Sequence, residues 1–242
     1  MFFWRERRGP VEWAFTDRSG GVSTAPFDSL NLGGHVGDVP ESVEANRDRL
    51  AQAVGVPRSG LVFMNQCHGT DVALVDGPWA EGATPPAVDG VVTATPGLAL
   101  AVLVADCTPV LMADPEAGVV GAVHAGRPGM TSGIVARAVE AMRDAGARNI
   151  RAVVGPSVCG RCYEVPEDMR YAAAAVSPES HTVSWTGTPA IDVAAGVVAQ
   201  LRARGATVEW VAGCTREDDR LFSYRRDGRT GRSAGLVRLG AA

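Results

Sequence analysis

The chain has 242 residues, 46% of them hydrophobic, and a formal net charge of −4. That is enough apolar material for a sizeable core, and the mildly acidic balance excludes the concentrated basic surface of a nucleic-acid binder. The longest apolar run, Leu98 to Ala105, stops at Asp106 and falls far short of the roughly 18 residues a membrane span needs, so it reads as a buried strand.

In chain order, the N-terminus places its first arginines after Phe2, Phe3 and Trp4. That is not the layout of a signal peptide, and a cytoplasmic location is expected. Residues 16–37 are rich in Gly, Ser, Asn and Pro and read as an irregular segment. Pro40 to Val54 reads as a helix, with Pro in its first turn, Val43, Leu50 and Val54 on one side and Gly55 at its end. Val62 to Asn65 and Val72 to Val75 read as short strands. Leu98 to Val104 and Val119 to His124 read as the strongest pair of strands. The turn sequence Ala113-Asp114-Pro115-Glu116-Ala117-Gly118 lies between them and predicts an antiparallel hairpin.

Thr131 to Ala145 carries Ile134, Val135, Ala138, Val139 and Met142 at helical spacing. Ile150 to Val154 and Thr207 to Ala212 read as strands, and Asp192 as the cap of a helix running to about Arg204. No internal repeat or low-complexity linker interrupts the chain, so one domain over residues 1–242 is expected. Strands and helices intermingle around an antiparallel hairpin, which predicts a mixed α/β or α+β sandwich and not a doubly wound parallel sheet.

The five cysteines are Cys67, Cys107, Cys159, Cys162 and Cys214, and the four histidines are His35, His68, His124 and His181. An odd count in a chain this long is no disulfide scaffold and points to buried thiols, a metal ligand or a nucleophile. Three segments place a metal-capable side chain at a strand end: Asn65-Gln66-Cys67-His68-Gly69, Val104-Ala105-Asp106-Cys107-Thr108-Pro109 and Ala122-Val123-His124-Ala125-Gly126. Two imidazoles, one thiolate and an open fourth position make a catalytic zinc set, which can acidify a water or polarise a substrate oxygen. Spacing alone is equally compatible with Cys107 as a small buried hydrophobe and the histidines as satisfied polar groups. If His68 faces the site on a strand, Cys67 faces the other way and packs into the core. Cys159 and Cys162 form a lone CxxC, which falls short of the four ligands of a structural zinc and reads as buried or loop thiols.

The chain resembles the laccase-domain (YfiH-type) family, whose members are known as multicopper polyphenol oxidases, as purine nucleoside phosphorylases and in some bacteria as peptidoglycan editing factors. The resemblance runs through Thr16-Asp17-Arg18-Ser19-Gly20-Gly21-Val22-Ser23, Ser29-Leu30-Asn31-Leu32, His35-Val36-Gly37-Asp38 and Asn46-Arg47. It continues in Gln66-Cys67-His68-Gly69, Asp89-Gly90, Ala105-Asp106-Cys107, His124-Ala125-Gly126 and Gly155-Pro156-Ser157. It ends in Cys162-Tyr163-Glu164-Val165 and Phe222-Ser223-Tyr224-Arg225-Arg226-Asp227-Gly228.

The resemblance implies an α/β/β/α sandwich with a mixed sheet, and His68, Cys107 and His124 as the metal ligands and catalytic residues. It also implies zinc, with copper as the alternative, and phosphorolysis of adenosine, inosine, guanosine and methylthioadenosine with adenosine deamination besides. Arg18, His35, Arg47 and Arg127 are the expected contacts to nucleoside and phosphate. The basic C-terminal segment (Arg225, Arg226, Arg229, Arg232 and Arg238) reads as a solvated surface that can also supply an anion contact.

Two departures stand out. The family reads His-Ala-Gly-Trp-Arg-Gly where this chain has His124-Ala125-Gly126-Arg127-Pro128-Gly129, and Arg161 replaces the first of two adjacent cysteines before Cys162.

Two other functions fit the same residues. A copper-dependent polyphenol oxidase would use the trio for one copper, but two remaining histidines are too few for a further imidazole-rich cluster. A cysteine hydrolase acting on a peptidoglycan precursor would use Cys107 as nucleophile beside His68 or His124. The His-x-Glu and Pro-Cys-x-x-Cys signature of the zinc deaminases is absent, so deamination would rest on a different scaffold.

Overall fold

The computed structural model describes residues 1–80 and 82–240. The chain opens with the hairpin β1 (Phe2–Arg8) and β2 (Val11–Thr16), followed by an irregular stretch and α1 (Pro40–Val54). Proline occupies the first turn of α1 and Gly55 closes it in the left-handed conformation, φ 68°, as its sequence predicts. Asn46, fully buried on α1, fastens the irregular stretch: it accepts from the Val22 N–H and donates to Ser23 Oγ and to the carbonyls of Ser29 and Asn31.

Six strands and a short helix come next: β3 (Leu61–Val62), β4 (Val72–Leu74), β5 (Gly90–Thr93), β6 (Ala99–Val104), β7 (Thr108–Asp114), β8 (Val119–Ala125) and α2 (Arg127–Ser132). The rest is α3 (Ile134–Asp144), β9 (Arg151–Val154), α4 (Glu167–Val176), β10 (His181–Val183), β11 (Pro189–Ile191), α5 (Val193–Ala203), β12 (Thr207–Trp210), α6 (Tyr224–Asp227) and β13 (Ser233–Leu239).

Two mixed sheets form the centre, one in the order β1-β2-β13-β6-β3 and one in the order β12-β9-β7-β8-β5-β4, with a small β10–β11 pair beside them. The side chains sort into three layers by the two-residue period of a strand. Along β7, Val110 and Met112 face α3 and α5, while Leu111 and Ala113 face the other sheet. Along β6, Leu100, Val102 and Val104 face the inter-sheet layer, while Ala99, Ala101 and Leu103 pack under Leu50, Ala51 and Val54 of α1. The architecture is therefore the expected α/β/β/α sandwich. No helix among the described residues is long and apolar enough to cross a membrane.

The predicted hairpin is corrected in one respect. The turn at 115–118 joins β8 to β7, which pair antiparallel, whereas β6 lies in the other sheet, antiparallel to β13. Both faces of β6 and β7 are covered, so the segments on either side of Asp106 both read as continuous apolar runs, and alternation cannot mark the change of sheet. The chain crosses from one sheet to the other within Ala105-Asp106-Cys107, where Asp106 takes φ 92°. The helix predicted over Thr131 to Ala145 is two, α2 and α3, broken at Gly133 with φ 99°. The Asp192 cap is present, its carboxylate accepting from the Ala195 N–H at 2.8 Å.

A change in the inter-sheet layer tests this register. Leu100→Ala should cost about 2–5 kcal/mol in urea unfolding, because Leu100 is fully buried between two sheets that cannot collapse onto the gap.

Candidate metal centre

Cys107 follows the sheet crossover, and His124 is the penultimate residue of β8. The antiparallel register sets Thr108 opposite Ala125 and Pro109 opposite His124, so the two side chains emerge at the same end of the hairpin. His68 arrives from the loop between β3 and β4. One donor atom from each of the three lies within 4.8 Å of the others. The His68 and His124 rings stand edge to face at 4.7 Å between centroids, and Cys107 Sγ is 3.7 Å from His68 Nε2. A Cβ at Gly126 would come within 2.8 Å of His68 Cδ2 and 3.2 Å of Cys107 Sγ, so the trio needs a glycine there.

Asp89, just before β5 and fully buried, holds two of the three side chains in place. Its Oδ1 sits 2.7 Å from His124 Nδ1, which leaves Nε2 as the ring's free donor. The same carboxylate accepts from the N–H groups of Cys67 (3.1 Å), His68 (3.0 Å) and Gly69 (2.6 Å). This turn carries His68 at φ 62°, a left-handed conformation that a non-glycine residue adopts at a cost of about 1–3 kcal/mol.

The Cys67–His68 segment is thus a turn and not a strand, which overturns the expectation that Cys67 packs into the core. Cys67 is exposed, and its thiol donates to Asp89 Oδ2 at 3.1 Å. That hydrogen bond and the negative charge of the carboxylate push the Cys67 thiol up.

Burial opposes ionisation of Cys107, but hydrogen bonds and positive charge from His124 and His68 outweigh it and bring the thiol down to about 6. Burial likewise disfavours the His124 imidazolium, yet Asp89 and Cys107 raise it to about 9. Without a cation the pair is an imidazolium and a thiolate near neutral pH. The donor chemistry fits zinc: one thiolate, two imidazoles, an aspartate behind one ring and an open side. It also fits a single copper.

The open side faces a cavity of about 830 Å³ lined by the trio, by Asn65, Gln66, Asp106 and His35, and by Met64, Leu103, Val158, Tyr163, Val193 and Tyr224. Arg127, Arg225 and Arg232 also line it. None of the three has a carboxylate partner among the described residues, Arg127 Nε is buried without a hydrogen-bond partner, and Arg225 stacks on Tyr163 at 4.6 Å. Burial, then the charges of Arg232, Arg47 and His124, push His35 down, so its ring is neutral.

Of the expected substrate contacts, His35 and Arg127 line the cavity. Arg18 lies elsewhere, bonded to the Asp28 carbonyl and over the Phe222 ring, and Arg47 bonds the Leu32 carbonyl and Glu44. Sequence reasoning missed Asp89 as the support of His124, and it read Arg225 and Arg232 as a solvated surface with an anion contact as the alternative. The segment matches around Asp89-Gly90 and Tyr224-Arg225 were the available signal.

The chain matches the family described as "Multi-copper polyphenol oxidoreductase laccase" over residues 12–240. It is 58% identical over 234 residues to a protein of Streptomyces griseus named purine nucleoside phosphorylase, covering 96% of this chain and 95% of that one. A purine nucleoside phosphorylase of Deinococcus radiodurans is 43% identical over 235 residues, covering 95% and 89%. Among solved structures, YlmD from Geobacillus stearothermophilus superposes with a TM-score of 0.88 at 31% identity, and a Neisseria meningitidis protein with 0.87 at 35%, each covering 99% of both chains.

Two measurements follow from the centre. Asp89→Asn should lower zinc affinity about 10–100-fold, because an amide keeps one accepting oxygen: set at the Oδ1 position it still serves His124 and the His68 N–H, but the Cys67 and Gly69 N–H groups then face an NH2; competition with a chromophoric chelator reads this. Zinc binding near pH 7.5 should release about one proton, lost from His124 since Cys107 is already ionised. Apparent affinity should therefore climb about tenfold per pH unit between the two values and level off above the His124 value, as calorimetry in buffers of different ionisation enthalpy will show.

Proposed function

The chain belongs to the multi-copper polyphenol oxidoreductase laccase family, and from that premise we propose that it is a zinc-dependent purine nucleoside phosphorylase that also deaminates adenosine. One observation carries the reading: a single cavity holds both a three-ligand cation site and three arginines with no carboxylate partner among the described residues. The names of the relatives support the same reaction class. Zinc, when bound, supplies Lewis acidity beside the reacting atoms.

The remaining roles follow from the side chains. Arg127, Arg225 and Arg232 present guanidinium forks suited to a phosphate dianion. Tyr163 and Tyr224, with Met64 and Val158, offer apolar faces to a purine ring. In phosphorolysis the glycosidic C–N bond breaks, a phosphate oxygen bonds the anomeric carbon, and the proton of the phosphate passes to the departing purine nitrogen. The arginines keep that oxygen beside the sugar, and the neutral ring of His35 is available to accept or hand on a proton. Deamination exchanges the amino group of adenosine for a water oxygen, with loss of ammonia, and needs no phosphate. Adenosine, inosine, guanosine and methylthioadenosine are the proposed substrates.

A second reading has one observation of its own: the Cys107 thiol, held at about 6 beside His68, suits a nucleophile in a cysteine hydrolase. A resident cation would block that sulfur, so the two readings separate on metal dependence. A multi-copper oxidase is poorly served, since His35 and His181 alone remain to build a further cluster and His181 lies on β10.

With inosine and phosphate the zinc-loaded protein should release hypoxanthine and ribose phosphate, and cleavage should fall away without phosphate. Arg127→Ala should raise the KM for phosphate about tenfold or more, at unchanged zinc content and with adenosine deamination preserved. Chromatography of the products decides. No turnover of any purine nucleoside by the zinc form, with rapid phenol oxidation by the copper form, would sink the nucleoside reading; turnover only after removal of zinc would favour the hydrolase.

A further inference from the structure

We propose that Cys159, Cys162, Cys214 and Glu217 form a second, structural zinc site, distinct from the His68–Cys107–His124 centre. One donor atom from each of the four lies within 4.8 Å of all the others. Sulfurs around one tetrahedral zinc stand about 3.8 Å apart, given Zn–S bonds of about 2.3 Å, so the cluster needs only a small contraction to close on an ion. Four protein donors of this kind make a closed, structural site, whereas the trio leaves a position open to the cavity.

The local backbone is built for it twice over. Cys159-Gly160-Arg161-Cys162 and Cys214-Thr215-Arg216-Glu217 share one pattern, a donor at each end and an arginine third. Each is folded as the same turn. The N–H groups of Cys162 and Tyr163 both donate to the Cys159 carbonyl, at 2.9 and 3.1 Å, and those of Glu217 and Asp218 to the Cys214 carbonyl, at 3.1 and 2.9 Å. The two turns are bound together by a bridge between Ser157 and Cys214 and by the Thr215 N–H on the Ser157 carbonyl at 3.1 Å. Cys214 Sγ accepts the Cys159 N–H at 3.4 Å, which ties the sulfur of one turn to the backbone of the other. Glu217 is aimed by the Trp185 indole, which donates to its Oε1 at 3.0 Å. That gives the exposed Trp185 a function, as a bracket on the fourth donor.

The cluster also underlies the first centre. Val158, adjacent to Cys159, donates its N–H to the Asp106 carbonyl at 2.9 Å, and Thr215, adjacent to Cys214, donates its hydroxyl to Asp106 Oδ1 at 2.6 Å. Both turns therefore grip the residue preceding Cys107. An ion joining them would fix two loops that have no sheet of their own, and its binding free energy would add to folding.

The test uses the full chain with Cys107→Ala, which removes the first centre. That protein should still hold about one zinc per chain, and cobalt(II) in its place should give the visible absorption of a tetrahedral thiolate site. Adding Cys162→Ser should abolish both signals. Should that double variant fail to fold, Glu217→Gln in the Cys107→Ala background is the milder probe, and it should release zinc to a chelator at least about tenfold faster. The proposal is overturned if folded, fully reduced Cys107→Ala protein takes up neither zinc nor cobalt, or if its zinc is indifferent to Cys162→Ser and Glu217→Gln. It is equally overturned if the metal-free native protein is lighter by about 2 Da through a Cys159–Cys162 disulfide that persists in the presence of zinc.

Discussion

The buried carboxylate of Asp89 is the constraint on which the centre depends. It stands at the start of β5, inside the protein, where a lone charge would be expensive. Five donors converge on it: three consecutive N–H groups of the 67–69 turn, the Cys67 thiol and the His124 ring. Burial works to raise its pKa, but His124, Cys67 and the Gly69 N–H prevail and hold it well below the ordinary carboxylate range. One anion thereby fixes the tautomer of His124 and the backbone of His68. The left-handed His68 is sustained because the turn that strains it is the turn that satisfies Asp89.

Asp106 plays the matching part for Cys107. It also takes a positive φ, at the point where the chain leaves one sheet for the other. Its carboxylate accepts from Thr215 and Ser223 hydroxyls and from the Arg225 N–H, so the C-terminal segment is drawn over the crossover. The same contacts bring Arg225 and Tyr224 to the cavity. The sandwich provides two rigid sheets, and the junction between them provides the irregular backbone on which Cys107 sits. Chemistry on a bend between two rigid layers is positioned more tightly than chemistry on a free loop.

How much of this was legible follows from what each signal can carry. The helix over Pro40–Val54 and the Asp192 cap were legible because their cues are local. That His68, Cys107 and His124 would meet was legible because cysteine and histidine are scarce and end three strand-like segments, and because the resemblance to the family brings the same three together. The strand β7 was not, since a segment buried on both faces shows no alternation and its neighbour on the far side of Asp106 looks the same. Cys67 was misplaced because a two-residue period was applied to a turn. Asp89-Gly90 matched the family pattern but carried no role, since nothing in a sequence announces that distant N–H groups will converge on one carboxylate. The CxxC read as buried or loop thiols, and Cys162 is buried; Cys214 and Glu217, which the fold sets beside it, lie beyond α4 and α5, out of reach of any local pattern.

The Arg127-Pro128 departure is the place where pattern and geometry must be weighed against each other. Moving an arginine by one position on a helix turns it through about 100°, which would ordinarily take it off the site. Here the change falls at the very start of α2, whose first residue is Arg127. Side chains there are not bound by the packing of a preceding turn, and Arg127 does line the cavity with its Nε unpartnered. Pro128 does not oppose the helix, because the N–H it lacks is one of the first-turn donors that have no intrahelical acceptor. Proline also narrows the backbone freedom of the segment that follows His124 and Gly126, where a glycine is needed to clear Cys107 and His68. The substitution thus keeps a guanidinium at the cavity and stiffens the turn beside two ligands. Arg225 and Arg232 reach the cavity from the C-terminal segment, so the positive wall does not rest on that one position.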